Sequence, residues 1–188
     1  HLKRNATLAP LLKKRSGLRV PGVWDPFELG VRAILGQQVS VAAASTLAGR
    51  IAMKFGKNAA KGHVTLTHLF PKPEDLADAN LNGLGLTTRR AATVTTFARA
   101  VKSDPYLLSL DQPLDAFVNR IAALNGFGPW TAHYMAMRMG HADAFPASDL
   151  GVRKALNMAP ERDVLRRPEP WRPYRAYAAM HLWASLGD

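Results

Sequence analysis

The 188-residue chain contains no cysteine. That excludes disulfides, thiolate zinc sites and cysteine-ligated iron–sulfur clusters. It fits a reducing compartment, so a cytoplasmic protein is the expectation. No apolar run approaches the roughly 20 residues of a membrane span. The segment His1–Lys14 lacks the apolar core and cleavage site of a signal peptide. Strand signals are scarce, because no stretch sustains an alternation of β-branched and polar residues. Acidic residues are also short: 14 Asp and Glu stand against 25 Lys and Arg, a net charge of +11.

That basic excess attracts polyanions and speeds encounter with them. Nucleic acid is the first candidate partner, and an anionic membrane surface is the second. A solvated basic surface without a dedicated partner is the plain alternative. The length suits one domain or two closely packed lobes.

Helix signals fill the chain. Asp25-Pro26-Phe27-Glu28 combines a cap, a proline suited to the first helical position and a capping-box pattern. Gly36 is expected to end that helix. Ser40 opens the next, which Gly56 stops. A loop is expected over 57–63, a short helix over 74–79 and a turn at Asn82-Gly83-Leu84-Gly85. Helices are predicted from Thr87 or Thr88 to Lys102, from Pro113 to Leu124 and from Pro129 to Gly140. Ser148 is read as the cap of a short helix reaching Asn157. Further helices follow Pro160 and span 173–186.

The segment Leu124-Asn125-Gly126-Phe127-Gly128-Pro129-Trp130-Thr131 is the most informative. Two glycines between helices permit positive φ and a close backbone approach. Such a hairpin presents N–H groups at the start of the second helix, where the dipole also favours a phosphate. Thr131 can add a hydroxyl. Contacts of this kind hold a duplex without reading its sequence. An ordinary helix–helix turn has the same local signature.

Asp149 follows Trp130 by 19 residues, within Phe145-Pro146-Ala147-Ser148-Asp149-Leu150. A carboxylate there can stabilise a developing oxocarbenium ion and orient or deprotonate a water. It can equally be a helix cap. Trp130 and Tyr134, at i and i+4, share a helix face. With Trp183 they can form an electron-rich cage for a cationic base, or simply core.

The hairpin, the loop and Asp149 together resemble the helix-hairpin-helix (HhH-GPD) DNA glycosylase superfamily. The run Asp-Pro-Phe-Glu-Leu-Gly-Val-Arg-Ala-Ile-Leu-Gly-Gln-Gln-Val-Ser (25–40), with Trp171–Arg175 and His181-Leu182-Trp183, resembles its bacterial 3-methyladenine DNA glycosylase II branch. The resemblance covers nearly the whole chain.

It implies an all-α, two-lobed fold in a single domain over 1–188, with the hairpin at about 113–139 and a catalytic-loop segment at 141–157. DNA would lie between the lobes, with Asp149 and Trp130 facing one another across that space. The branch carries a β-rich N-terminal subdomain, whereas only 24 residues precede Asp25 here. The implied activity is excision of alkylated purines from double-stranded DNA in base excision repair, by a monomer in the bacterial cytoplasm at the nucleoid.

The resemblance also assigns roles. Asp149 falls on the catalytic aspartate, and Trp130, Tyr134 and Trp183 on the base pocket. Gly126, Gly128 and Thr131 fall on the phosphate-binding hairpin. Carbonyls of Ala122, Leu124 and Phe127 match a site for a monovalent sodium or potassium ion, with no other cofactor required. Strand-cleaving relatives carry a lysine nucleophile at the position of Trp130. Tryptophan cannot form a Schiff base, so a monofunctional enzyme is implied.

The target base must leave the stack. Gln38, with Gln37 beside it, falls on the side chain that fills the gap, although these two also read as a polar turn. Arg89 and Arg90 are candidates for further phosphate contacts. Two other functions stay open: a non-catalytic DNA-binding module, and a glycosylase for deaminated, oxidised or mismatched bases.

Overall fold

The computed structural model describes residues 1–59, 64–166 and 168–187. Among them the regular structure is helical, and the one β feature is an isolated bridge between Asn58 and His68. Of the loop expected at 57–63, residues 60–63 lie outside the described residues. No helix among the described residues is long and apolar enough to cross a membrane.

These residues gather into two compact units. One comprises Trp24–Ser109 and Arg120–Phe127. It holds α2 (Pro26–Leu35), α3 (Val41–Phe55), α4 (Pro73–Leu76) and α5 (Thr88–Ser103). The starts of α2, α3 and α5 are closed by cap side chains. Asp25 accepts from Glu28 N (2.9 Å), Ser40 from Ala43 N (3.2 Å) and Thr87 from Arg90 N (3.3 Å). Each cap satisfies an N–H that has no partner inside its helix. The capping box expected at Asp25 forms only its first arm, because Glu28 instead takes Arg32 Nε at 2.6 Å. The core centres on Phe97, which stacks on Phe27 and tilts against Phe127, with centroids 5.4 and 5.0 Å apart.

The other unit comprises His1–Val23, Leu110–Asn119 and Gly128–Asp188. It holds α1 (Ala9–Lys14), α7 (Pro129–Met139), α8 (Leu150–Ala155), α9 (Glu161–Arg166) and α10 (Arg175–Ser185). The remaining helix, α6 (Leu114–Ala122), gives its residues through Asn119 to this unit and the last three to the first. The core of this unit includes Leu8, Phe117, Met135, Met137, Trp171 and Leu182, all nearly fully buried. Helix α10 packs on α8 and α1, and this brings Trp183 to the start of α8. Helix α1 was not apparent from sequence, since its six residues carry no side-chain cap and show no periodicity.

Candidate active site

The sequence offered two caps for the start of α8, and the structure uses one of them. Asp149, and not Ser148, is its cap. Asp149 Oδ1 accepts from the backbone N–H of Val152 (2.9 Å) and from Trp183 Nε1 (2.7 Å). Oδ2 accepts from Trp130 Nε1 (2.9 Å). Three donors from α7, α8 and α10 therefore converge on one half-buried carboxylate. An ionised carboxylate is acceptor-only and can take all three, as charge-assisted bonds.

The resemblance implied that Trp130 and Asp149 face one another across the space for DNA; instead they are hydrogen-bonded within one unit. Gly151 completes the arrangement. A Cβ there would lie 3.0 Å from Asp149 Oδ1 and 3.0 Å from Trp183 Cδ1, so a side chain would push both away.

Trp130 stacks on Tyr134, with centroids 5.4 Å apart and planes 5° from parallel. The two rings are in direct contact, which leaves no slot between them for a base. A base would meet an outer face of the pair. Arg138, one turn further on, donates to Tyr134 Oη (2.8 Å), to Pro21 O (2.7 Å) and to Gly22 O (3.3 Å). Sequence reading missed Arg138, although its i+4 spacing from Tyr134 was a usable signal.

The segment before Asp149 is fastened to the same unit. Arg175 grips Asp143 with two bonds of 2.7 and 2.9 Å, and Ala176 N donates to Ala142 O at 2.9 Å. Arg172 pairs with Asp143 as well. His133 Nδ1 takes the backbone N–H of Phe145 (3.3 Å). Burial, and then the charge of Arg175, push the His133 imidazole below its ordinary range. A neutral ring suits that acceptor role.

Helix α7 begins with Gly128 at its cap and Pro129 in its first position, and no side chain caps it. The N–H groups of Trp130 and Thr131 follow, beyond the reach of the intrahelical ladder. Thr131 itself is only 3% exposed. Its side chain is thus packed inward and does not offer the surface hydroxyl the sequence suggested.

In the other unit, Gly126 has φ +86°, and a Cβ there would lie 2.5 Å from Thr93, so only glycine fits this turn. Gln37 Nε2 donates to Gly126 O (3.1 Å), and Arg90 Nη2 donates to Gln37 O (2.6 Å). Gln37 and Arg90 are thus partly committed to bracing the turn, which weakens their assignment to DNA contacts. Gln38 and Arg89 are exposed, and Gln38 holds a left-handed backbone at φ +57°. A groove of about 260 Å³ runs between Gln37, Gln38, Thr87, Arg89, Arg90 and Gly126.

The carbonyls of Ala122, Leu124 and Phe127 lie at and just after the end of α6. Ala122 is the last residue of that helix, where the dipole favours a cation. Leu124 O also takes the N–H of Phe127 at 3.0 Å, which leaves it a second lone pair. This donor set fits a hard monovalent ion.

Residues 31–162 match the model of the HhH-GPD superfamily base excision DNA repair proteins. A protein of Mycobacterium tuberculosis described as a probable bifunctional transcriptional activator/DNA repair enzyme AlkA is 39% identical over 184 residues, which cover 95% of this chain and 37% of that protein. The DNA-3-methyladenine glycosylase 2 of Escherichia coli is 34% identical over 187 residues, 97% of this chain and 66% of that enzyme. The chain thus spans just over a third and just under two thirds of these relatives. The structure of a 3-methyladenine DNA-glycosylase from Archaeoglobus fulgidus superposes with a TM-score of 0.80 at 22% identity, covering 97% of this chain and 66% of that one. Helical architecture, hairpin and family match lead to one assignment: the chain belongs to the HhH-GPD superfamily of base excision DNA repair proteins.

Proposed function

We propose that this chain is a monofunctional DNA glycosylase that hydrolyses the bond between an alkylated purine and its deoxyribose in double-stranded DNA. The observation that carries this reading is the Asp149 carboxylate, fixed by Trp130, Trp183 and Val152 beside the Trp130–Tyr134 stack. A helix cap alone needs one of those three donors. The name of the Escherichia coli relative, DNA-3-methyladenine glycosylase 2, supports the same substrate class, and that of the Mycobacterium tuberculosis relative supports DNA repair.

Alkylation at a purine ring nitrogen makes the base cationic. When the C1′–N bond breaks, its electron pair stays with the base, which leaves neutral and needs no acid catalyst. Positive charge develops on the sugar at C1′ and O4′. Asp149 stabilises that charge and orients a water, whose oxygen bonds to C1′ and whose proton passes to the carboxylate and on to solvent. Because its three donors are already in place, the carboxylate needs little reorganisation. Trp130 offers no amine, so the product is an abasic site on an intact strand.

The base reaches Asp149 by leaving the stack. Gln38, exposed on a left-handed turn, is the side chain we assign to the vacated space. The open start of α7 takes a backbone phosphate, and Arg89 takes another. A sodium or potassium ion held by Ala122, Leu124 and Phe127 would supply further positive charge for the DNA backbone; no other cofactor is needed. We treat 1–188 as one functional domain made of two units, working as a monomer.

The test is release of free base from methylated duplex DNA. Release of 3-methyladenine or 7-methylguanine, with abasic sites and no strand cleavage, is the expected result. Tight duplex binding without any release would make the chain a binding module.

A further inference from the structure

Arg138 is the strongest feature that the proposed reaction leaves unused. Its Nη1 donates to the Tyr134 hydroxyl at 2.8 Å, and its guanidinium carbon lies 5.6 Å from the centre of that ring. Its other two bonds, to Pro21 O and Gly22 O, also reach uncharged oxygens. The guanidinium is thus held in place without any of these partners cancelling its charge. The aromatic pair carries an anion at one end, where Trp130 Nε1 meets Asp149, and a cation at the other, where Tyr134 meets Arg138.

A fixed cation there has two consequences. It draws on the Tyr134 π-system, the same electron density that a cationic base would use. It also repels a positive base stacked on the pair, through a partly desolvated medium where charges act more strongly than in water. A neutral base meets neither penalty. We infer that Arg138 is a specificity-determining residue: its charge lowers the preference of the aromatic pair for cationic alkylated purines and so admits neutral lesions. This inference rests on the glycosylase reading of the same site.

Two variants separate charge from position. Arg138→Met removes the charge and keeps an unbranched stem. Arg138→Lys keeps the charge but loses the fork that reaches three acceptors at once. The measurement is kcat/KM for release of 7-methylguanine, cationic in DNA, and of hypoxanthine, neutral in DNA, from otherwise identical duplexes.

The ratio of cationic to neutral release is expected to rise by about two- to fivefold in Arg138→Met. In Arg138→Lys both rates should fall while the ratio stays near that of the wild type. A ratio unchanged in Arg138→Met, with both rates lowered equally, would reduce Arg138 to a structural brace and overturn the inference alone. Equal shifts of the ratio in both variants would also overturn it, since charge would then not be the cause. Release of 7-methylguanine with no release of hypoxanthine by the wild type would overturn the inference alone, and release of neither base would overturn the glycosylase reading and this inference with it.

Discussion

Two helix starts in one unit use the same unpaired N–H groups in opposite ways. At α8 the donors meet a carboxylate from the chain itself: Asp149 caps the helix and also receives two indole N–H groups. At α7 the cap is Gly128, which has no side chain to give, and Pro129 follows it. A helix start that keeps its own anion becomes a fixed negative site. One without a cap keeps its donors for an external anion. Under the proposed function the pair divides the labour of a glycosylase, with chemistry at the closed start and DNA backbone at the open one.

The sharpest way to break this contrast is to neutralise the closed start. Asp149→Asn keeps one oxygen for Val152 N–H, so the cap survives. Its amide must then turn an N–H toward Trp130, donor against donor, since Val152 and Trp183 share the retained oxygen. Base release should fall by about a hundred- to a thousandfold, measured under single turnover, with helix content unchanged by circular dichroism.

Next in size is closing the open start. Gly128 has an ordinary extended backbone, and a Cβ there meets nothing within 4 Å. Gly128→Asp should therefore fit, cap α7 and stabilise the fold by a few tenths of a kcal/mol. It should also weaken duplex binding by about tenfold, because a carboxylate now competes with the phosphate. Fluorescence anisotropy at two salt concentrations checks this, and the loss should shrink as salt rises.

Smaller again is Trp183→Phe, which keeps the ring but removes one of the three donors to Asp149. Release should drop by about tenfold and stability by about 1 kcal/mol, read from single-turnover rates and chemical denaturation.

The least drastic test uses acid. His133, His141 and His181 all lie in the unit that holds Asp149, and burial is the first cause pushing each below the ordinary imidazole range. Such groups bind protons more readily once unfolded. Their contribution is complete above about pH 6.5 and declines as pH falls from there toward the lowered values. The unfolding temperature should fall by about 2–4 °C for each kcal/mol lost. His181→Gln should flatten part of that slope.

Much of this was legible in the sequence wherever the cause is local. The caps at Asp25, Ser40 and Thr87 and the proline opening of α7 depend on neighbours within four residues, and each was read in advance, Thr87 as one of two candidates with Thr88. Asp149 was located, but its role as cap was left open beside Ser148, because both residues suit that position and only the backbone decides.

What stayed hidden depends on distant partners. Arg90 meets Gln37 across 53 residues, and Gln37 meets Gly126 across 89. No local pattern distinguishes these braces from side chains free to touch DNA. Thr131 was misjudged for a related reason, since helical spacing does not say which face of α7 is buried. Arg138 is the instructive omission: residues 130, 134 and 138 form one stripe at four-residue spacing, visible in sequence but read only as far as Tyr134.

The most direct test of the division between the two helix starts measures both functions in both variants: single-turnover base release and duplex affinity for Asp149→Asn and Gly128→Asp. The expected result is a clean separation. Asp149→Asn loses release and keeps affinity, while Gly128→Asp loses affinity and keeps its rate at saturating enzyme. If affinity and rate instead fall together in either correctly folded variant, the two helix starts do not divide the work, and the account is wrong at its centre.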